Sequence, residues 1–350
     1  MAFDMLRKMN LWLQLLFLAA ILGAMVLAAS TMGYIKVGFM DVFRIFAAEI
    51  FGWSHFVQHT DSLVNAVVLE VRIPRILTAV LVGGALAVSG AVFQGILLNP
   101  LADPYTLGVS AGAAFGASIA LILNITLLGS FNVPVFAFIG ALSSLAVVMY
   151  LASSAGNFSS NNLILSGVIV AAILSAGISF VKYMADEQMA VIIFWLMGSL
   201  SAKTWSEVMI LFFFAAAGVG ICFFFSKELN LLSLGGKMAG SLGVDSSKLL
   251  PMFLVTASLM AAVCVSVSGI IGFVGLLVPH MARMAAGPDN RKLIPVSFFG
   301  GAILLLAADT LTRAVLPVEV PIGVLTALIG GPFFCYIFRK RQKQRGQYGF

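Results

Sequence analysis

Residues 75–98 read RILTAVLVGGALAVSGAVFQGILL, and no charged side chain stands between Arg75 and Asp103. At a rise of about 1.5 Å per residue, a helix over this stretch crosses a hydrocarbon core about 30 Å thick. A helix is also the form that satisfies its own backbone where no water is present. The stretch therefore predicts a membrane span. Comparable apolar runs lie on either side of it, at 11–29, 105–123, 133–151, 163–181, 206–225, 249–268, 272–287, 294–313 and 321–338. The run at 272–287 is short and contains Pro279, which predicts a bent or tilted helix. The expected fold class is all-α: a polytopic membrane protein of about ten transmembrane helices, forming one domain over residues 1–350.

Composition excludes a water-soluble protein. Of the 350 residues 61% are hydrophobic and 10% are charged, where soluble domains carry about 25% charged residues. The net charge of +6 does not mark a nucleic-acid binder, because the basic residues are scattered between apolar runs and cluster only at the end. They read as topology signals, and the partner implied is membrane lipid. Arg7 and Lys8 precede the first run, which is longer than the roughly 7–15 apolar residues of a signal peptide and reads as a span. Arg339, Lys340, Arg341, Lys343 and Arg345 follow the last, so 339–350 reads as a basic tail. An even number of spans with basic residues at both ends places both termini in the cytoplasm. That assignment puts thirteen basic and five acidic residues inside, against seven basic and nine acidic outside.

Three stretches between the spans stand out. Residues 30–74 mix apolar positions with Asp41, Arg44, Glu49, Asp61 and Glu70, the pattern of an amphipathic helix at the outer interface. Residues 182–205 carry charges at both ends around the apolar 189–200, which is too short to cross and return and predicts a short interfacial or partly re-entrant helix. Residues 226–248 form the largest cytoplasmic loop and the natural docking surface.

The motifs point away from catalysis. Gly236-Lys237 is followed by Met238 and has no glycine five residues before Gly236, so no Walker A loop is present and ATP energy would have to come from another chain. There is no nucleophile elbow and no pair of carboxylates on one helix. No cofactor is implied. No metal site is read either: His55 and His59 have i,i+4 spacing, but two histidines make no site, and Cys222, Cys264 and Cys335 lack paired spacing. Gly108, Gly112 and Gly116 recur every four residues, which predicts a close helix–helix contact. Asp309 and Arg313 are placed for an i,i+4 ion pair.

Several segments together resemble one family. Arg72-Ile73-Pro74-Arg75 leads through SGAVFQ (89–94) and NPLADP (99–104) to LGVSAG (107–112), with GIIGFVGLLVPHMAR at 269–283 and PIGVLTALIGGPFF at 321–334. This pattern resembles the FecCD-type permeases, the membrane subunits of ATP-driven importers for iron–siderophore complexes, haem and cobalamin. The resemblance implies a type II ABC importer permease working as a homodimer or paired permease, with two cytoplasmic ATP-binding subunits. It also implies a periplasmic or lipid-anchored substrate-binding protein, docked on outward-facing Arg72, Arg75 and Arg313. The loop LGGKMAGSLGV (234–244) resembles the family's coupling helices. The resemblance thus assigns ATPase contact to Leu234, Gly235, Lys237, Ala239, Gly240, Leu242 and Gly243, with Gly236 where many relatives carry Glu. Ferric siderophore is the commonest cargo of the family and the one expected; haem and cobalamin are the alternatives. Two rivals from other classes are an ion-coupled secondary transporter, which needs buried acids or a midplane ion site, and an intramembrane enzyme, for which Asp309 and His280 are the available groups.

Overall fold

The computed structural model describes residues 10–33, 35–51, 61–153, 159–314 and 319–347. Arg7, Lys8, His55 and His59 lie outside them. The described residues contain helices and turns and no strands. In chain order the helices are α1 (Leu11–Thr31), α2 (Phe39–Phe51), α3 (Ser62–Ile96), α4 (Val109–Ile122), α5 (Asn132–Ser153), α6 (Ser160–Met184) and α7 (Met189–Leu196). They continue with α8 (Trp205–Phe224), α9 (Ser226–Leu232), α10 (Gly236–Ser241), α11 (Ser246–Ser268), α12 (Val274–Ala286), α13 (Asn290–Ala314) and α14 (Ile322–Gln347). Seven helices, α1, α3, α5, α6, α8, α11 and α13, are long and apolar enough to cross a membrane; α4 and the first part of α14 are shorter apolar helices. With α12 they make up the set of about ten.

The centre of the bundle is α3. Along its apolar span 83% of residues are buried, against 6% in α1 and 17% in α6, so α3 is the axle while α1 and α6 lie at the surface of the bundle. Lipid is as apolar as leucine and gives helices no hydrophobic reason to associate, so close approach of small residues must do it. Gly83 of α3 lies against Gly301 of α13, and Gly90 lies against Gly275 of α12, each where a methyl group would strike backbone. Between α2 and α3, Val37, Val42, Ile45, Val68 and Ile73 form a second apolar cluster, which gives α2 its amphipathic character.

The structure refines the sequence reading in four places. The span expected at 75–98 is the inner part of a longer helix that begins at Ser62. Its turn Val67–Arg72 is a π-helix in which the Ile73 N–H donates to Val68 O, a wider turn that accommodates Pro74, which has no N–H for Glu70. The span expected at 105–123 is instead a 3₁₀ turn, Pro104–Leu107, followed by the short α4. Asp103 caps that turn by accepting from Tyr105 N and Thr106 N, and Gly108 supplies a left-handed φ of 76°. Gly108 is thus the N-cap of α4 and not part of its helical stripe. The Ser144 hydroxyl donates to Gly108 O at 2.9 Å from the middle of α5, so α4 starts within the bundle. Third, α12 continues through Pro279. The proline leaves Gly275 O without its usual donor, and Gln94 of α3 donates to Gly275 O (3.4 Å) and Leu276 O (3.2 Å) in its place. Fourth, α14 runs beyond the expected end of its span at 338, to Gln347.

Candidate functional site

At the end of the bundle that the charge distribution assigns to the outside, three interruptions of regular helix meet. They are residues 197–204 after α7, 269–273 between α11 and α12, and the start of α14. Glycine makes their close crossing possible: a methyl on Gly269 would strike Trp195 O, and one on Gly323 would strike Ile270 O and Met197 O. The backbone stitches the segments together. Ser199 N donates to Ser268 O at 2.8 Å, Gly323 N to Met197 O at 3.0 Å, and Lys203 Nζ to Val267 O at 2.6 Å in the last turn of α11. Lysine suits a helix C-terminus because the last carbonyls carry partial negative charge.

Over this junction sits an ionic cluster. Asp309 of α13 is fully buried, and Arg75 donates to it from Nε at 2.9 Å and from Nη2 at 2.8 Å. The same guanidinium reaches Ser201 Oγ at 3.3 Å and pairs with Glu319, to which Ser201 also donates at 2.7 Å. Arg313 Nε lies 3.4 Å from Asp309 Oδ2, the i,i+4 pair expected from their spacing. A lone buried carboxylate would cost several kcal/mol, and two guanidiniums around Asp309 offset that cost. Glu319 is the exposed member, with its side chain 47% accessible. Burial raises its carboxyl, but the Ser201 hydroxyl and the Arg75 guanidinium outweigh that and leave it below the usual carboxylate value.

The arginines expected to face outward therefore have partners within the chain. Arg72 is 5% exposed and donates to Ser30 O and Ile35 O. Arg313 donates to Met32 O (2.8 Å) and Ala29 O (2.6 Å). Both thus hold the end of α1 onto α3 and α13. The reason is the supply of unpaired carbonyls at the α1 terminus. Beneath the cluster Arg75, Ser199, Ser201, Thr312 and Glu319 line a cavity of about 260 Å³. A larger groove of about 580 Å³, lined by Met197, Ile270, Gly272, Val324 and Leu328, is almost wholly apolar.

At the opposite end, α9 and α10 form the loop 226–248. Gly235 (φ 101°) joins them and Gly243 (φ 85°) leads out, both in the left-handed region. Ala239 is buried and anchors α10, while Lys237 and Gly240 are exposed and a methyl on Gly240 or Gly243 would meet nothing within 4 Å. Leu234, Met238 and Leu242, four residues apart, are 61%, 55% and 53% exposed. An apolar row at a water-facing end has nothing among the described residues to cover it. The glycines of the third segment lie elsewhere, within the bundle: Gly112 is against Gly140 and Gly116 against Phe136 of α5.

Sequence reasoning missed Glu319, Ser201, Gln94 and the unwound 269–273. A carboxylate in the short 315–320 connection was the available signal for the first; the others depend on which helices meet.

Comparison with known proteins agrees with this architecture. The chain is 36% identical over 338 residues to the hemin transport system permease HmuU of Yersinia pestis, covering 95% of this chain and 97% of that one. It is 41% identical over 279 residues to the cobalamin import system permease BtuC of Halobacterium salinarum, covering 79% and 74%. A solved structure of an ABC transporter described as of metal-chelate type, in an inward-facing conformation, superposes with a TM-score of 0.82 at 33% identity, over 93% of this chain and 98% of that one. The model of the FecCD transport family matches residues 15–340. With the bundle and the motifs quoted above, that match establishes that the chain belongs to the FecCD transport family.

Proposed function

We propose that this chain is the permease subunit of an ATP-driven importer that carries a metal chelate, with ferric siderophore as the cargo, across the cytoplasmic membrane. The observation that carries the reading is the exposed apolar row of Met238 on α10 and Leu234 and Leu242 flanking it, at the end where an ATPase would sit, in a chain of this family. In this reading Gly235 and Gly243 set the angle of α10, Ala239 fixes it to the bundle, and Leu234, Lys237, Gly240 and Leu242 meet a groove of the ATPase. Two copies of the permease, or a related pair, enclose the path. Both termini lie in the cytoplasm, and a binding protein delivers cargo to the outer end. There Arg75 is the proposed docking residue, since its partner Glu319 is a solvent-exposed carboxylate that an acidic partner would exchange for, while Arg72 and Arg313 hold the end of α1. The apolar groove beside 269–273 suits a bulky chelate whose charge is masked by its metal.

The test is uptake into proteoliposomes containing this chain, its co-expressed ATPase and the neighbouring binding protein. Radio-iron siderophore should accumulate only with ATP inside and all components present, in preference to haem and cobalamin. Uptake without the ATPase, driven by an ion gradient, would make the chain a secondary transporter. ATP-driven uptake of haem or cobalamin alone would retain the permease role and replace the cargo.

A further inference from the structure

The Asn230 amide ties the α9–α10 pair to the α12–α13 hairpin, beside the packing of α9 against α13. Asn230 of α9 donates from Nδ2 to Asp289 Oδ1 at 2.7 Å, and its Oδ1 accepts from both Asn290 N and Asn290 Nδ2 at 2.8 Å. The carboxylate only accepts and the backbone N–H only donates, so one orientation of the amide satisfies both sides. Asp289 Oδ1 in turn accepts from Arg291 N at 3.0 Å, and Asn290, the first residue of α13, is 3% exposed. Asn230 therefore grips the cap of α13 through three hydrogen bonds. The neighbouring Leu229 and Leu232 are buried, and Leu229 lies beside Gly95 near the inner end of α3.

We infer that Asn230 is the positioning residue through which displacement of α9 and α10 reaches α13 and, along it, the outer ionic cluster. The mechanical route is continuous. Gly235, with a left-handed φ and little around it, allows α10 to pivot on α9. The turn 287–289 is too short to absorb a pull on Asn290, so α12 and α13 follow α9 together. α13 is an unbroken helix of 25 residues, about 37 Å long at 1.5 Å per residue, that carries Asp309 and Arg313 at its far end. A shift at Asn290 is thereby felt at Arg75, Glu319 and the mouth above the apolar groove. Without the amide, α9 would slide past the hairpin and the ATPase end would move alone.

The inference rests on the reading of α10 as the ATPase contact, and the experiment separates the two. The permease is purified together with its ATPase in nanodiscs, with Cys335→Ser and Leu311→Cys labelled by an environment-sensitive fluorophore. Cys222 and Cys264 are buried, and Leu311 stands exposed near the outer end of α13. ATP with vanadate should change the label's emission in the parent. Asn230→Ala and Asn230→Asp should reduce that change about tenfold, the factor set by leaving buried polar partners unsatisfied, while ATPase co-purification and basal hydrolysis stay as in the parent. Asn230→Asp sets two carboxylates face to face, so adding Asp289→Asn should recover much of the response, and Asp289→Asn alone should keep it. A merely structural amide would lower ATPase retention and the response together and would not be rescued by removing the opposing charge. Parent-like response in both Asn230 variants, or no gain in the double variant, overturns the clasp and leaves the importer reading intact. Failure of any ATPase to bind the parent chain overturns that reading and the clasp with it.

Discussion

Gly83→Ala should unlock the crossing on which the bundle turns. A methyl group at Gly83 would stand 2.8 Å from Leu305 Cβ and 2.8 Å from the Gly301 carbonyl carbon, and nearer still to its oxygen. Carbon atoms sit comfortably at about 3.5–4.0 Å, and both obstacles belong to the fixed frame of α13, which no rotamer change relieves. The helices must part by about 1 Å. Two turns along, Arg75 meets Asp309 at 2.8–2.9 Å, and a parting of that size carries the pair beyond the normal range of about 2.7–3.2 Å. Overpacking costs about 1–3 kcal/mol and weakening of a charged hydrogen bond about 1.5–3 kcal/mol. Together they give about 2.5–6 kcal/mol, or roughly 3–8 °C in Tm for a chain of this length. The assay is the fraction of protein remaining monodisperse in size-exclusion chromatography after heating in detergent. Gly220→Ala is the control: it lies on the exposed side of α8 with nothing within 4 Å of a new methyl. A Tm for Gly83→Ala within 1 °C of the control would refute the argument that backbone-to-backbone approach at this glycine holds α3 to α13.

Arg75→Ala leaves Asp309 buried with Arg313 alone and should cost about 3–5 kcal/mol, whereas Arg75→Ala with Asp309→Ala should cost less than the sum of the single changes; heat denaturation of the three variants measures the coupling. Glu319 is held below its usual carboxylate value, so its contribution is complete above the unfolded pKa and is lost as pH falls through the folded one. Quenching of an outer-end fluorophore should accordingly report loosening of the mouth below about pH 4.5 and not in Glu319→Gln, whose profile should be flat. Gly240→Trp meets open space in this chain, so it should leave Tm unchanged while abolishing ATPase co-purification; normal co-purification would remove α10 from the ATPase contact. Gln94→Leu removes the donor that stands in for Pro279 and should lower Tm by the equivalent of about 1–3 kcal/mol, read in the same heating assay.

Residue chemistry along the chain was enough to specify the solvent, the fold class and the approximate set of spans. An apolar run of this length in lipid has one stable backbone form, and that requirement is local. The family was legible for the same reason, since motifs such as GIIGFVGLLVPHMAR are contiguous. The i,i+4 spacing of Asp309 and Arg313 likewise foretold their pair. What the sequence left open was every feature set by which helices touch. Composition alone does not separate the exposed α6 from the buried α3, because both are apolar all round and lipid and protein interior are alike as solvents. The inward turn of Arg72 and Arg313 depended on carbonyls exposed at the end of α1, about forty and 280 residues away. Gln94 satisfying a carbonyl freed by Pro279, and Asn230 gripping Asn290, are likewise bonds between distant elements. Only the tertiary structure decides such pairings, because polar groups inside a bundle must find partners wherever packing brings them, and packing here is fixed by small residues at crossings far apart in the chain.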